Sequence, residues 1–140
     1  IYNEAIQQQH PLSLIIGDID GFKILNDTHG HSYGDKVLTE IAQAISDMVR
    51  PADVIARYGG VEFSILLPQT TDLDTRVLAE GIRSEVEQMS FEGQLGPITM
   101  SFGVASIDLR SYPDDETFLK AAEDYMYMAK RQGKNRVCGE

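Results

Sequence analysis

Apolar and polar positions along this chain switch repeatedly between a period of two and a period near 3.6. Residues 12–17 form a short apolar run of strand length, which stops at Asp18-Ile19-Asp20. Residues 22–27 read as a short helix. From 36 to 50, apolar residues fall at Val37, Leu38, Ile41, Ala42, Ile45, Met48 and Val49, one face of a helix. Residues 53–58 and 61–67 read as two strands with Gly59-Gly60 between them. Gly-Gly supplies the positive φ angles that a two-residue hairpin turn needs. In the second arm Phe63, Ile65 and Leu67 share one face, and Glu62 and Ser64 the other. Asp72 is placed to cap the next helix, whose apolar stripe reads Leu73, Val77, Leu78, Ile82, Val86 and Met89. Ile98, Met100, Phe102 and Val104 alternate with smaller residues as a strand. A last helix carries Phe118, Leu119, Ala122, Tyr125, Met126 and Ala129, and ends in Lys130, Arg131 and Gly133, as helix ends prefer. Residues 136–138 complete the pattern as an edge strand.

The resulting order, β-α-α-β-β-α-β-α-β, predicts an α+β fold. The 140 residues suffice for one domain with a real core. The opening at Ile1, without Met, reads as a fragment of a longer protein, with residues 1–10 as the tail of a linker helix. No apolar run approaches the roughly 20 residues of a membrane span. Twelve basic residues against 22 acidic ones give a net charge of −10. That argues against duplex nucleic acid, whose affinity comes mainly from neutralised phosphates. Cys138 is the single cysteine and excludes an internal disulfide.

Three constellations carry candidate chemistry. Asp18 and Asp20, two apart in an extended chain, share a face and project from the rim of a sheet. Paired carboxylates there suit Mg²⁺, a hard ion that takes oxygen ligands. On its own, Asp-x-Asp after a strand is more often the chemistry of a cap or solvated turn. It does not match a calcium loop, because the twelfth position from Asp18 is His29 rather than Glu. The second constellation is Gly59-Gly60, where backbone can approach a phosphate. The third, Lys23-x-x-Asn26-Asp27-x-x-Gly30-His31-x-x-Gly34-Asp35, reads on its own as a polar connection between helices. His29 and His31 lack zinc spacing.

In order and spacing these elements resemble the GGDEF domain family, the diguanylate cyclases. Asp18-Ile19-Asp20, Phe22-Lys23, Asn26-Asp27, Gly30-His31, Gly34-Asp35, Arg57-Tyr58-Gly59-Gly60, Glu62-Phe63, Ser101-Phe102-Gly103-Val104, Ala129-Lys130 and Gly133-Lys134-Asn135 all fit, over residues 10–138. The resemblance implies a central mixed, mostly antiparallel sheet of about five strands flanked by helices, like the palm of nucleotidyl cyclases and polymerases. It implies a single GGDEF domain over residues 1–140 and a cytoplasmic location, with any membrane anchor outside this stretch.

The family condenses two GTP into cyclic di-GMP and two pyrophosphates across an antiparallel homodimer. Carried over by position, Asp18 through its carboxylate and Ile19 through its carbonyl would hold Mg²⁺, or Mn²⁺ in its place. Lys23, Glu62 and Lys130 would serve catalysis, the lysines on phosphates. Asn26 and Asp35 would bind the guanine edge. Gly59, Gly60 and Lys134 would complete the nucleotide site, Lys134 standing where the family often has Arg. Arg50 and Asp53 match the family's inhibitory Arg-x-x-Asp motif for cyclic di-GMP; an Arg-Asp pair closing a helix end is the plain alternative. Where members often add a second arginine this chain has Gly81, with Arg83 nearby.

Val61 departs from the pattern. It stands where the family has an acidic metal ligand, and its side chain offers no ligand atom. Such a loss is worth on the order of several kcal/mol of transition-state stabilisation, or roughly thousands-fold in rate. Valine also simply extends an apolar strand face. The expected function is therefore a degenerate GGDEF domain that binds GTP or cyclic di-GMP as a regulatory module, beside an EAL-type phosphodiesterase or a sensor domain in the same chain. An active diguanylate cyclase and a ligand-free dimerisation module are the alternatives.

Overall fold

The computed structural model describes residues 1–58, 62–94 and 96–140. Helix α1 (Tyr2–Gln8) precedes β1 (Leu12–Ile19), α2 (Phe22–His29), α3 (His31–Met48), β2 (Val54–Tyr58), β3 (Glu62–Pro68), α4 (Asp72–Gln88), β4 (Met100–Ser106), α5 (Asp115–Arg131) and β5 (Val137–Gly139). The strands form one sheet in the order β2-β3-β1-β4-β5. Strand β1 lies at its centre, antiparallel to β3 and β4. Among the described residues only β4 and β5 are parallel, and α5 supplies the crossover such a pair needs. This is the expected mixed, mostly antiparallel sheet. Among the described residues no helix is long and apolar enough to cross a membrane.

Strand parity divides the core in two. Ile15 and Ile19 of β1 join Phe63, Ile65 and Leu67 of β3 and Met100, Phe102 and Val104 of β4 beneath α3 and α4. Leu14 and Ile16 face the other way, with Phe118, Ala122 and Met126 of α5 and Ala5 of α1. Since helices cover both faces, β4 is buried at every position and not at alternate ones. Gly103 lets α5 lie directly on β4. A Cβ there would stand 2.0 Å from the Ala122 carbonyl oxygen and 2.3 Å from the Met126 nitrogen.

Several local expectations need correction. Asp72 does not cap α4. Thr71 does, in extended conformation, its hydroxyl accepting from the Asp74 amide. Asp72 is buried instead, and accepts from Arg76 Nε at 2.7 Å and Ser106 Oγ at 3.1 Å. The apolar stripe of α4 is also rotated: it buries Thr75, Ala79, Ile82 and Val86, while Leu73 and Val77 are 72% and 66% exposed. At ~100° per residue, Leu73 and Val77 lie across the helix from that face. Helix α3 starts at His31, five residues before the periodic stretch, because Gly30 at φ 93 ends α2 and opens α3 in one step. Strand β4 starts at Met100, two residues after Ile98.

Candidate functional site

The rim of the sheet at the end of β1 gathers the polar groups. Even positions of β1 face α5, so Asp18 and Asp20 project toward that helix and meet Lys130 in its last turn. Lys130 Nζ lies 3.0 Å from Asp20 Oδ1, 3.3 Å from the Ile19 carbonyl oxygen and 3.5 Å from Asp18 Oδ2. Asp20 is saturated. Its Oδ1 accepts from Ser101 Oγ at 2.7 Å as well as from Lys130, and its Oδ2 accepts from Thr99 Oγ1 at 2.7 Å and the Asn135 amide at 3.0 Å. Burial pushes the Asp20 carboxyl up, but these hydrogen bonds outweigh it and hold the pKa below the usual value. At Asp18 burial prevails over Lys130, and the pKa is raised.

Glu62 pairs across the sheet with Asp18 and stands on the same face. Its pKa is pushed up to about 7, first by burial and then by the neighbouring charges of Glu123 and Asp18. Asp18 Oδ1 and Glu62 Oε1 are both buried without a hydrogen-bond partner. Glu123 escaped the sequence reading. The signal was its spacing: Glu123, Tyr127 and Lys130 stand at i, i+4 and i+7 on the one face of α5 that meets the strand ends.

Beside this rim a cleft of about 720 Å³ opens between β1 and the start of α3, lined among others by Asp18, Ile19, Lys23, Asn26 and His31. Asn26 Oδ1 is buried without a partner. It occupies the space a side chain at position 34 would fill, since a Cβ on Gly34 would stand 1.8 Å from it. Lys23 and Asp35 are exposed, and Asp35 lies outside the lining of this cleft. Lys134, also exposed, sits in a turn at φ 65 beyond α5, its amide bonded to the Ala129 carbonyl. Gly59, Gly60 and Val61, the remaining expected site residues, lie outside the described residues. His29 stacks on Tyr33 and its Nε2 lies 3.0 Å from Gln94 Oε1.

A hard cation at this rim would find the Asp18 carboxylate and the Ile19 carbonyl. Among the described residues, however, no group of three or more His, Cys, Asp or Glu is arranged to hold one. The Lys130 ammonium already engages both donors. As they stand, the described residues do not make a divalent-metal site.

At the opposite end of β3, Arg50 and Asp53 close the chain after α3. The Arg50 amide donates to Asp53 Oδ2 at 2.9 Å and its guanidinium to Asp53 Oδ1 at 3.1 Å. The guanidinium also donates to the Pro68 carbonyl at 3.0 Å and to Thr70 Oγ1. Arg83, the nearby arginine, is engaged elsewhere, by Glu80, Glu87 and Asn135.

Residues 2–136 match the family model for the diguanylate cyclase, GGDEF domain. The chain belongs to the GGDEF family. It is 41% identical over 128 residues to diguanylate cyclase DosC of Escherichia coli K12, covering 91% of this chain and 28% of that protein. It is 40% identical over 139 residues to diguanylate cyclase A of Treponema denticola, covering 96% and 37% respectively. This chain thus spans about a third of those relatives or less. Among solved structures, the active GGEEF domain of a diguanylate cyclase from Vibrio cholerae superposes with a TM-score of 0.91 at 34% identity, over 99% of this chain and 88% of that one. The GGDEF domain of DgcB from Caulobacter crescentus, in complex with c-di-GMP, does so with a TM-score of 0.91 at 33% identity, over 99% and 82%. The fold is that of these domains.

Proposed function

We propose that this GGDEF domain works in cyclic di-GMP signalling as a guanine-nucleotide-binding module with weak or no cyclase turnover. The observation that carries the nucleotide reading is the buried, unpartnered Asn26 Oδ1 held over Gly34 in the cleft. An orphaned buried acceptor is costly unless a ligand donor satisfies it, and the N1–H and amino group of guanine are such donors. Lys23, which lines the cleft, and Lys130 would meet phosphates, and Lys134 would add a point charge to the nucleotide site. Val61 and the ammonium on Asp18 support low turnover. Arg50 with Asp53 would take cyclic di-GMP only by exchanging the guanidinium's contacts to Pro68 and Thr70. A homodimer, and an EAL-type phosphodiesterase or sensor domain in the longer protein, are further parts of this reading.

An active diguanylate cyclase is the second reading, favoured by one observation. Glu62 already supplies a carboxylate with a free oxygen across from Asp18. The experiment is cyclic di-GMP formation from GTP and Mg²⁺, with Val61→Glu run beside the parent and dimerisation of both checked by light scattering. Product from the dimeric variant alone is the expected result. Product from the parent at a comparable rate establishes the second reading instead.

A further inference from the structure

The Lys130 ammonium presents three N–H donors, and among the described residues it meets three acceptors, all at the end of β1 and the residue that follows it. It stands 3.3 Å from the Ile19 carbonyl oxygen, 3.5 Å from Asp18 Oδ2 and 3.0 Å from Asp20 Oδ1. The side chain is 20% exposed, against 19% for Asp18 and 6% for Asp20. The first two acceptors are the same two donors that a divalent cation would need at this rim. We propose that Lys130 is a tethered cation occupying that position, so that a divalent ion and the Lys130 ammonium compete for Asp18 and the Ile19 carbonyl. This rests on the reading of Asp18 and Ile19 as cation-binding groups given above.

Two further features favour the ammonium. Position 61 contributes no carboxylate to a divalent ion, so a metal would gain little beyond what Lys130 already satisfies. The lysine is also held in place through its partner. Asp20 accepts from Thr99, Ser101 and the Asn135 amide. Asn135 is fixed in turn by Arg83 Nη1 at 2.9 Å and by its own Nδ2 donating to Glu87 Oε2 at 2.5 Å. A charge-assisted contact of this kind is stronger than a neutral one. Displacing it leaves a lysine to be solvated or placed on a phosphate. In a nucleotide-free domain, then, the ammonium keeps divalent ions out of the rim; a bound triphosphate would give it another partner.

The test uses the nucleotide-free chain and Mn²⁺ as probe, with binding followed by paramagnetic relaxation enhancement and calorimetry. Lys130→Gln removes the competing charge and should bind Mn²⁺ at least about tenfold more tightly than the parent. Adding Asp18→Asn to that variant should abolish the gain, which places the ion at this rim. Equal or weaker Mn²⁺ binding by Lys130→Gln overturns the proposal. Should that variant not fold, the parent decides. Its Lys130 ammonium ¹H–¹⁵N resonance should lose hydrogen-exchange protection as Mg²⁺ saturates, and an unmoved, still protected resonance overturns the competition. GTP binding by the parent without metal, measured in parallel, tests the nucleotide reading separately; its failure would leave the Mn²⁺ result standing.

Discussion

At the scale of single residues, two carboxylates of the rim respond to their surroundings in opposite ways. Asp20 accepts four hydrogen bonds and keeps its charge. Glu62 has a buried free oxygen and acidic neighbours, and its pKa rises from 4.5 to about 7. The native state therefore binds a proton at Glu62 that the unfolded chain has released. That contribution is complete below the unfolded pKa of 4.5 and is lost as pH rises through about 7. Thermal unfolding should show a melting temperature that falls between pH ~5 and ~7.5, and Glu62→Gln should flatten that limb. A parallel decline in parent and variant would mean that other groups carry it. The sequence placed Glu62 in the site and on the face opposite Phe63, but did not show that this face is the one Asp18 occupies. The reason is register. Adjacent residues of one strand do alternate, yet pairing Asp18 with Glu62 brings the two strands' even positions to the same side. Asp20 was legible as a rim carboxylate and not as a saturated one, because its partners Thr99, Ser101 and Asn135 lie 79 or more positions away.

At the scale of elements, periodicity identified all five strands and the four helices after α1, and it failed where a helix is apolar on two sides. In α4, Leu73 and Val77 compete with Ala79, Ile82 and Val86 for the role of core stripe. Which side wins depends on α3 and the sheet. Cap chemistry was misassigned for a related reason: Thr71 and Asp72 both suit the position, and burial of Asp72 beside Ser106 decides between them. A joint with backbone on both sides is α5 on β4 at Gly103. A methyl group there meets the Ala122 carbonyl and Met126 amide, which belong to helix backbone and cannot turn aside. Gly103→Ala should cost about 1–3 kcal/mol or more of stability as an overpacking change, read from the denaturant midpoint. Because Lys130 and Glu123 ride on α5, the same substitution should shift their resonances. A neutral midpoint would show that the helix can back away from the sheet.

At the scale of the whole molecule, the cleft and the Arg50–Asp53 corner sit toward opposite ends of β3, with the sheet between them. Family membership was legible because its signature residues fall at turns and strand ends, where local chemistry is read directly from sequence. The hydrogen bonds that link them are long-range and were not. If Asn26 receives a guanine, GTP should stabilise the fold by mass action, by roughly 2.7 kcal/mol at a hundredfold excess over its dissociation constant. ATP at the same concentration should shift the melting temperature much less. Equal shifts from the two nucleotides would remove Asn26 and Asp35 from base recognition.

Strand β1 has a consequence for how this domain comes into being. It is synthesised early and holds the middle of the sheet, yet both of its neighbours, β3 from Glu62 and β4 from Met100, are made much later. Until they arrive, a run of Leu14, Ile15 and Ile16 with two unpaired edges has no partner. Such non-local antiparallel pairing slows folding, and an apolar strand left open on a nascent chain is a point of self-association. The central strand of the finished sheet is thus left unpaired while the chain that completes it is still being made.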